Sequence, residues 1–232
     1  MPTGPPAPRP DAVPALEPGV TLLRGGPTPL HRVVAAELAR GRTAALWVDP
    51  GRAVSTHALY DLAPSKRTLR GLRVARAFTA YQHHALCREL VRRASSRTQL
   101  VVLPGVGRLY RDDDVPDYER EALFEAAVSV AAELASSLSV PVLLADDGDD
   151  GLTAIAADHA DAEVDVEATD MGLAFRGAGF ETLGYWGHSY WQTTIPYWVD
   201  LFGARDPEEP LASADGPAQA EFGGPAVPAL GD

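Results

Sequence analysis

The chain has 232 residues, 46% of them hydrophobic, and a net charge of −12. At that length one domain can bury a substantial core, and the single cysteine, Cys87, excludes an internal disulfide and a thiolate metal cluster and fits a reducing compartment. No charged-then-apolar leader opens the sequence and no apolar run approaches the roughly 18 residues of a membrane helix, so a soluble, cytoplasmic protein without membrane contact is expected.

The charges are unevenly placed. Residues 1–111 hold 17 basic and 6 acidic side chains, whereas 112–232 hold 3 basic and 26 acidic ones. This asymmetry fits either a nucleic-acid face or two halves that neutralise each other on folding. One lysine stands against 19 arginines. With the acidic excess, that is the composition of a salt-adapted source such as a haloarchaeon, where acidity serves solubility rather than partner choice.

Residues 1–18, rich in proline and alanine, cannot sustain a helix or a ladder and read as a lead-in. Val20–Leu23 is a short buried strand, Arg24–Pro29 a glycine turn, and Leu30–Arg40 a helix with Leu30, Val33, Val34 and Leu38 on one face and Gly41 as its stop. Thr43–Asp49 is the next strand, broken by Pro50-Gly51, and Val74–Phe78 another. Thr79 and Gln82 form a capping box for a helix to about Arg93 that buries Leu86, Leu90 and Val91. Leu100–Leu103 is the most continuous apolar strand, and Asp117 is placed to cap a helix to about Ser137 with Leu123, Ala127, Val130 and Leu134 as its stripe. Val140–Leu144 is a further strand.

Strands alternating with helices at this spacing predict an α/β fold with a mostly parallel sheet covered on both faces. Beyond Ala145 the pattern changes to a polar loop, Asp146–Gly151, and two C-terminal edge strands, Glu163–Glu167 and Gly172–Arg176. Trp186, Tyr190, Trp191, Tyr197, Trp198 and Phe202 read as a packed flap or as a partner-docking cluster. The expected organisation is a disordered lead-in over 1–18, one domain over 19–203 and a disordered acidic tail over 204–232.

Val20–Arg32, strand, glycine turn and helix start, has the scaffold of a phosphate-binding loop. Such a loop needs G-x-x-x-x-G-K-[ST], because backbone N–H groups wrap the phosphates, the lysine reaches the terminal phosphate and the hydroxyl holds magnesium. With Gly25 as the first glycine, the last three positions hold Leu30, His31 and Arg32. Gly25, Gly26, Thr28, His31 and Arg32 are therefore candidate residues of a degenerate phosphate loop, with Arg32 and a protonated His31 as substitute charges at the helix N-terminus. Pro27 and Pro29 remove two of the N–H donors.

Other chemistry has less support. His83 and His84 are adjacent on a helix and point about 100° apart, which denies them joint ligation of one ion and predicts a surface or partly buried pair. Asp146–Asp150 lacks the glycine and closing glutamate of a calcium loop and reads as a solvated acidic loop. Ser189 and His188 lack a glycine elbow. No catalytic residue and no metal site is expected. Lys66, Arg67, Arg70, Arg73 and Arg76 form a basic stretch that fits a phosphate-tracking stripe or pairing with the acidic half.

The order of elements, the strand ending in Asp49, Val74-Ala-Arg-Ala-Phe78, and above all Leu100-Val-Val-Leu103 followed by Arg108-Leu-Tyr-Arg111 resemble the ATPase core of the archaeal RecA-like recombinases, RadA and its short paralogue RadB, over roughly 20–185. The resemblance implies a RecA-like P-loop NTPase fold and an ancestry in DNA recombination and repair, with ATP as the cofactor in question. It also marks departures. The loop lysine and hydroxyl fall on His31 and Arg32, the glutamate expected shortly after Asp49 is replaced by Pro50-Gly51, and the magnesium-supporting aspartate falls on Pro104. Three parts of phosphoryl transfer are missing together. The family's DNA-contacting loop corresponds to Asp146–Gly151, where four carboxylates repel phosphates. The resemblance thus implies a degenerate pseudo-ATPase in an accessory or regulatory role, with a protein partner, self-association or DNA as its target; a weak ATPase and a direct DNA-binding protein are the alternatives.

Overall fold

In the computed structural model, residues 13–41, 44–51, 55–169, 172–177, 180–186 and 191–193 are described. Within them the chain runs β1 (Gly19–Arg24), α1 (Pro27–Arg40), β2 (Ala44–Pro50), α2 (Thr56–Leu62), β3 (Leu72–Ala77), α3 (Ala80–Arg93), β4 (Thr98–Leu103), α4 (Asp117–Leu138), β5 (Pro141–Ala145), α5 (Gly151–Asp158), β6 (Ala162–Thr169), β7 (Gly172–Gly177), β8 (Phe180–Trp186) and β9 (Trp191–Thr193). The strands form one sheet in the order β3-β2-β4-β5-β1-β6-β7-β8-β9. Pairing is parallel from β3 across to β6 and antiparallel from β6 to β9. The protein is thus α/β, with a mostly parallel sheet flanked by helices.

The apolar runs of the central strands follow from burial on both faces. Leu22, Val48, Leu103 and Leu144 share one core with α3, α4 and α5. Leu23, Trp47, Val102 and Leu143 share the other with α1 and α2. No helix among the described residues is long and apolar enough to cross a membrane.

Several local expectations need correction. β6 and β7 are not the sheet's edge, because β8 and β9 continue it beyond them. Tyr185, Trp186 and Trp191 lie in these added strands, while Tyr190, Tyr197, Trp198 and Phe202 fall outside the described residues, as do the tail over 204–232 and most of the lead-in. Asp117 does not cap α4: Pro116 holds the extended N-cap position, and Asp117 becomes the first helical residue and pairs with Arg120 at 3.0 Å. The buried stripe of α4 is Phe124, Ala127, Val128, Ala131, Leu134 and Ala135. It is rotated from the expected one because the bulky Phe124 seeks the core and leaves Leu123 and Val130 half-buried. Likewise α3 buries Ala80, His83, Cys87 and Leu90 and leaves Val91 exposed. Its Thr79 cap accepts from the Gln82 N–H, but the Gln82 side chain reaches back to the Phe78 N–H, one residue before the cap.

Candidate functional site

β1 sends the chain across β5 and β4 to β2, whereas its neighbour β5 sends it across β1 to β6. Adjacent strands whose connections leave to opposite sides open a crevice at their carboxyl ends, the usual place for a ligand in an open α/β sheet. Here that crevice measures about 590 Å³ and is bounded by the first turn of α1 (Gly26, Thr28, His31), by Ser55, Ala58 and Leu62 around α2, by Pro104, Gly105 and Arg108 after β4, and by Ala145 and Asp147 after β5.

The glycine turn between β1 and α1 depends on its residues. Gly25 has φ +131, and a Cβ there would collide with the Val166 carbonyl; Gly26 has φ +81 and stands as the N-cap of α1. Both conformations favour glycine. Pro27 opens the helix, where its missing N–H costs nothing. Two N–H groups of the turn, those of Gly25 and Gly26, both donate to Asp147 Oδ1, at 3.2 and 2.7 Å. The protein's own carboxylate therefore sits where these donors would otherwise receive an anion.

Asp147 is held there by its loop. Arg111 ends a short 3₁₀ turn, Arg108–Arg111, and donates to Asp146 at 3.0 and 2.7 Å, to Asp150 at 2.7 and 2.8 Å and to Thr153 Oγ1 at 2.9 Å. Asp146 is buried, and Asp150 caps α5 by accepting from the Thr153 N–H. The bonds to Asp150 and Asp146 push the Arg111 pKa up, and Arg111 holds the Asp150 carboxyl well below its usual range. Gly148 leaves room for the guanidinium, since a Cβ there would collide with Arg111. Asp147, Asp149 and Asp150 are exposed, in line with the expected solvated loop, but Asp146 is buried, and Asp146, Asp147 and Asp150 also accept hydrogen bonds that fix the loop.

The other loop candidates are placed as follows. His31 Nε2 accepts from the Ser55 N–H at 2.9 Å, which puts the proton on Nδ1, donated to the Pro27 carbonyl. Its ring is buried 5.8 Å from Trp47, so both nitrogens are engaged in joining α1 to the start of α2. Thr28 is exposed on the crevice wall. Arg32 is half-buried and does not line the crevice, and burial lowers its pKa. Asp49, fully buried at the end of β2, accepts from Arg76 at 2.9 Å. Behind the 3₁₀ turn, His83 is not a surface histidine but wholly buried, bonded through Nδ1 to the Tyr110 hydroxyl at 3.0 Å, and its pKa is lowered to about 4, first by desolvation. Burial pushes the neighbouring Cys87 thiol up to about 12.

The basic stretch divides. Arg76 is committed to Asp49, whereas Lys66, Arg67, Arg70 and Arg73 are exposed and, among the described residues, make no ion pair. They flank and enter β3, the edge strand of the sheet. The sequence reading missed Arg111 as the organiser of the site, although Asp150 followed by Thr153 carries a legible capping signal for α5.

No family model matches the chain, and no curated protein does.

Proposed function

We propose that the chain is a catalytically degenerate RecA/RadB-like protein with an accessory or regulatory role in DNA recombination and repair. The observation that carries the reading is Asp147, whose carboxylate takes the Gly25 and Gly26 N–H groups that a phosphate would need. Two further features support it. Pro104 ends β4 where a magnesium-supporting carboxylate would stand, and His31 is engaged at both nitrogens where the lysine would reach the terminal phosphate. The resemblance of Leu100–Leu103 with Arg108–Arg111 to RadA and RadB supplies the ancestry, since a fold class alone does not carry a function.

The test is thermal unfolding of the full chain with and without excess Mg-ATP. A ligand of the folded state raises the midpoint by mass action. The proposal expects no shift. A rise that disappears in Arg32→Ala would show that a nucleotide still binds at the turn and would overturn the proposal.

A further inference from the structure

Asp147 closes one corner of the crevice to phosphate, but the crevice as a whole measures about 590 Å³. That volume lies within the range, roughly 300–1,000 Å³, of sites that hold small molecules. Its walls are mainly apolar, with Leu30 from α1, Ala58 and Leu62 from α2 and Pro104 after β4. Walls of this kind favour an apolar body over water.

Two groups of opposite charge face the same space. Asp147 uses Oδ1 for the Gly25 and Gly26 N–H groups, while its Oδ2 accepts no hydrogen bond among the described residues. Arg108 is exposed, and its guanidinium makes no ion pair and no hydrogen bond among the described residues. Although the two share the crevice, they do not pair with each other. Arg111, three residues on in the same 3₁₀ turn, is by contrast committed to Asp146 and Asp150.

Opposite charges held apart on apolar ground are matched by a ligand that carries both. An ammonium group donates to a carboxylate, a carboxylate accepts from the fork of a guanidinium, and both bonds strengthen where water is partly excluded. A nucleotide would bring its negative charge against Asp147. A plain amine or a plain carboxylate uses one of the two groups and leaves the other idle. An apolar α-amino acid supplies both charges and the apolar body in one small molecule.

We propose that the crevice binds a small zwitterion of the class of free apolar α-amino acids, its ammonium on Asp147, its carboxylate on Arg108 and its side chain against Leu30, Ala58 and Leu62. This deepens the reading of a site closed to nucleotide and rests on it, because Asp147 must stand at the glycine turn to meet the ligand.

The probes are L-phenylalanine and L-leucine, titrated calorimetrically into the full chain at neutral pH. Both should bind, and both should raise the thermal unfolding midpoint as their concentration rises. Phenylalaninamide lacks the carboxylate and 3-phenylpropanoate lacks the amine, so each should bind about tenfold more weakly than phenylalanine, the order expected for one lost charge-assisted bond. Arg108→Ala should weaken phenylalanine about tenfold and leave phenylalaninamide unchanged. Asp147→Asn, which keeps an acceptor for the turn, should weaken phenylalanine and leave 3-phenylpropanoate unchanged. Circular dichroism establishes that both variants are folded, and the analogues test the same two contacts on the unaltered chain. The proposal is overturned if neither amino acid binds, if phenylalaninamide, 3-phenylpropanoate or uncharged adenosine binds as tightly as phenylalanine, or if Arg108→Ala leaves phenylalanine binding as it was. Silence toward both Mg-ATP and the amino acids overturns this proposal alone, whereas a midpoint shift with Mg-ATP overturns the closed-site reading.

Discussion

The carboxyl ends of β1, β4 and β5 and the edge at β3 belong to one sheet but have opposite electrostatic design. At the sheet's centre Arg111 is shared by Asp146, Asp150 and Thr153, and Asp147 accepts from the Gly25 and Gly26 N–H groups of the glycine turn. At the edge, four cations in a short stretch make no ion pair among the described residues, and exposed Tyr60 and Phe78 flank them in sequence. The lesson is that burial, more than composition, decides what a charge does. Asp146 is almost wholly removed from water and must be paired, whereas Arg67 and Arg70 remain solvated and can stay single.

The contrast breaks most visibly at Arg111. Arg111→Ala leaves buried Asp146 without its cation, and removal of one member of such a pair typically costs about 3–5 kcal/mol. Because Arg111 keeps some contact with solvent, the lower end is expected, read as a fall in the urea midpoint. Arg111→Lys should recover little of it, since an ammonium cannot serve two carboxylates and a hydroxyl in this forked geometry.

The next effect is pH-dependent. His83 packs behind the turn that carries Arg111, and its folded pKa of about 4 lies below the ordinary 6.5 because burial disfavours the charged ring. The folded state therefore binds its proton later than the unfolded one. The contribution is fully present above 6.5 and is lost as pH falls from there toward 4. It amounts to about 3 kcal/mol. Urea unfolding at a series of pH values should show this decline, and His83→Phe should flatten it.

Asp147→Ala should cost about 1 kcal/mol, since both of its bonds lie at an exposed loop. Asp147→Asn should cost less, because the amide oxygen still accepts. At the other pole of the comparison, the triple substitution of Arg67, Arg70 and Arg73 should change stability by no more than about 0.5 kcal/mol in thermal or urea unfolding. A large loss there would mean that the edge cations hold the fold and that the two regions are alike after all.

The sequence made the parallel core legible because four-residue apolar runs such as Leu100–Leu103 can only be buried on both faces. It did not reveal α2 and α5, which at 7 and 8 residues are too short to show a helical period. The glycine turn could be found from local residues. Its closure could not, because Asp147 lies 122 residues from Gly25, and Arg111 lies 35 and 39 residues from its carboxylates. The same limit applied to the basic stretch: nothing local distinguishes Arg76, which meets Asp49 across neighbouring strands, from Arg73, which meets no carboxylate among the described residues. Spacing reports what one element can do. Which distant side chain neutralises it is set by strand order.

That distance also bears on how the molecule comes together in time. β6, β7 and β8 pair with neighbours a few residues away, whereas β1 finds its partners only once β5 and β6 exist, more than a hundred residues later. Contacts of such long separation pay loop-closure entropy before they return anything, and they slow folding. The two bonds from the glycine turn to Asp147 span 122 and 121 residues, and Asp147→Ala is expected to raise the unfolding rate more than it lowers the folding rate, read from the two arms of a urea chevron.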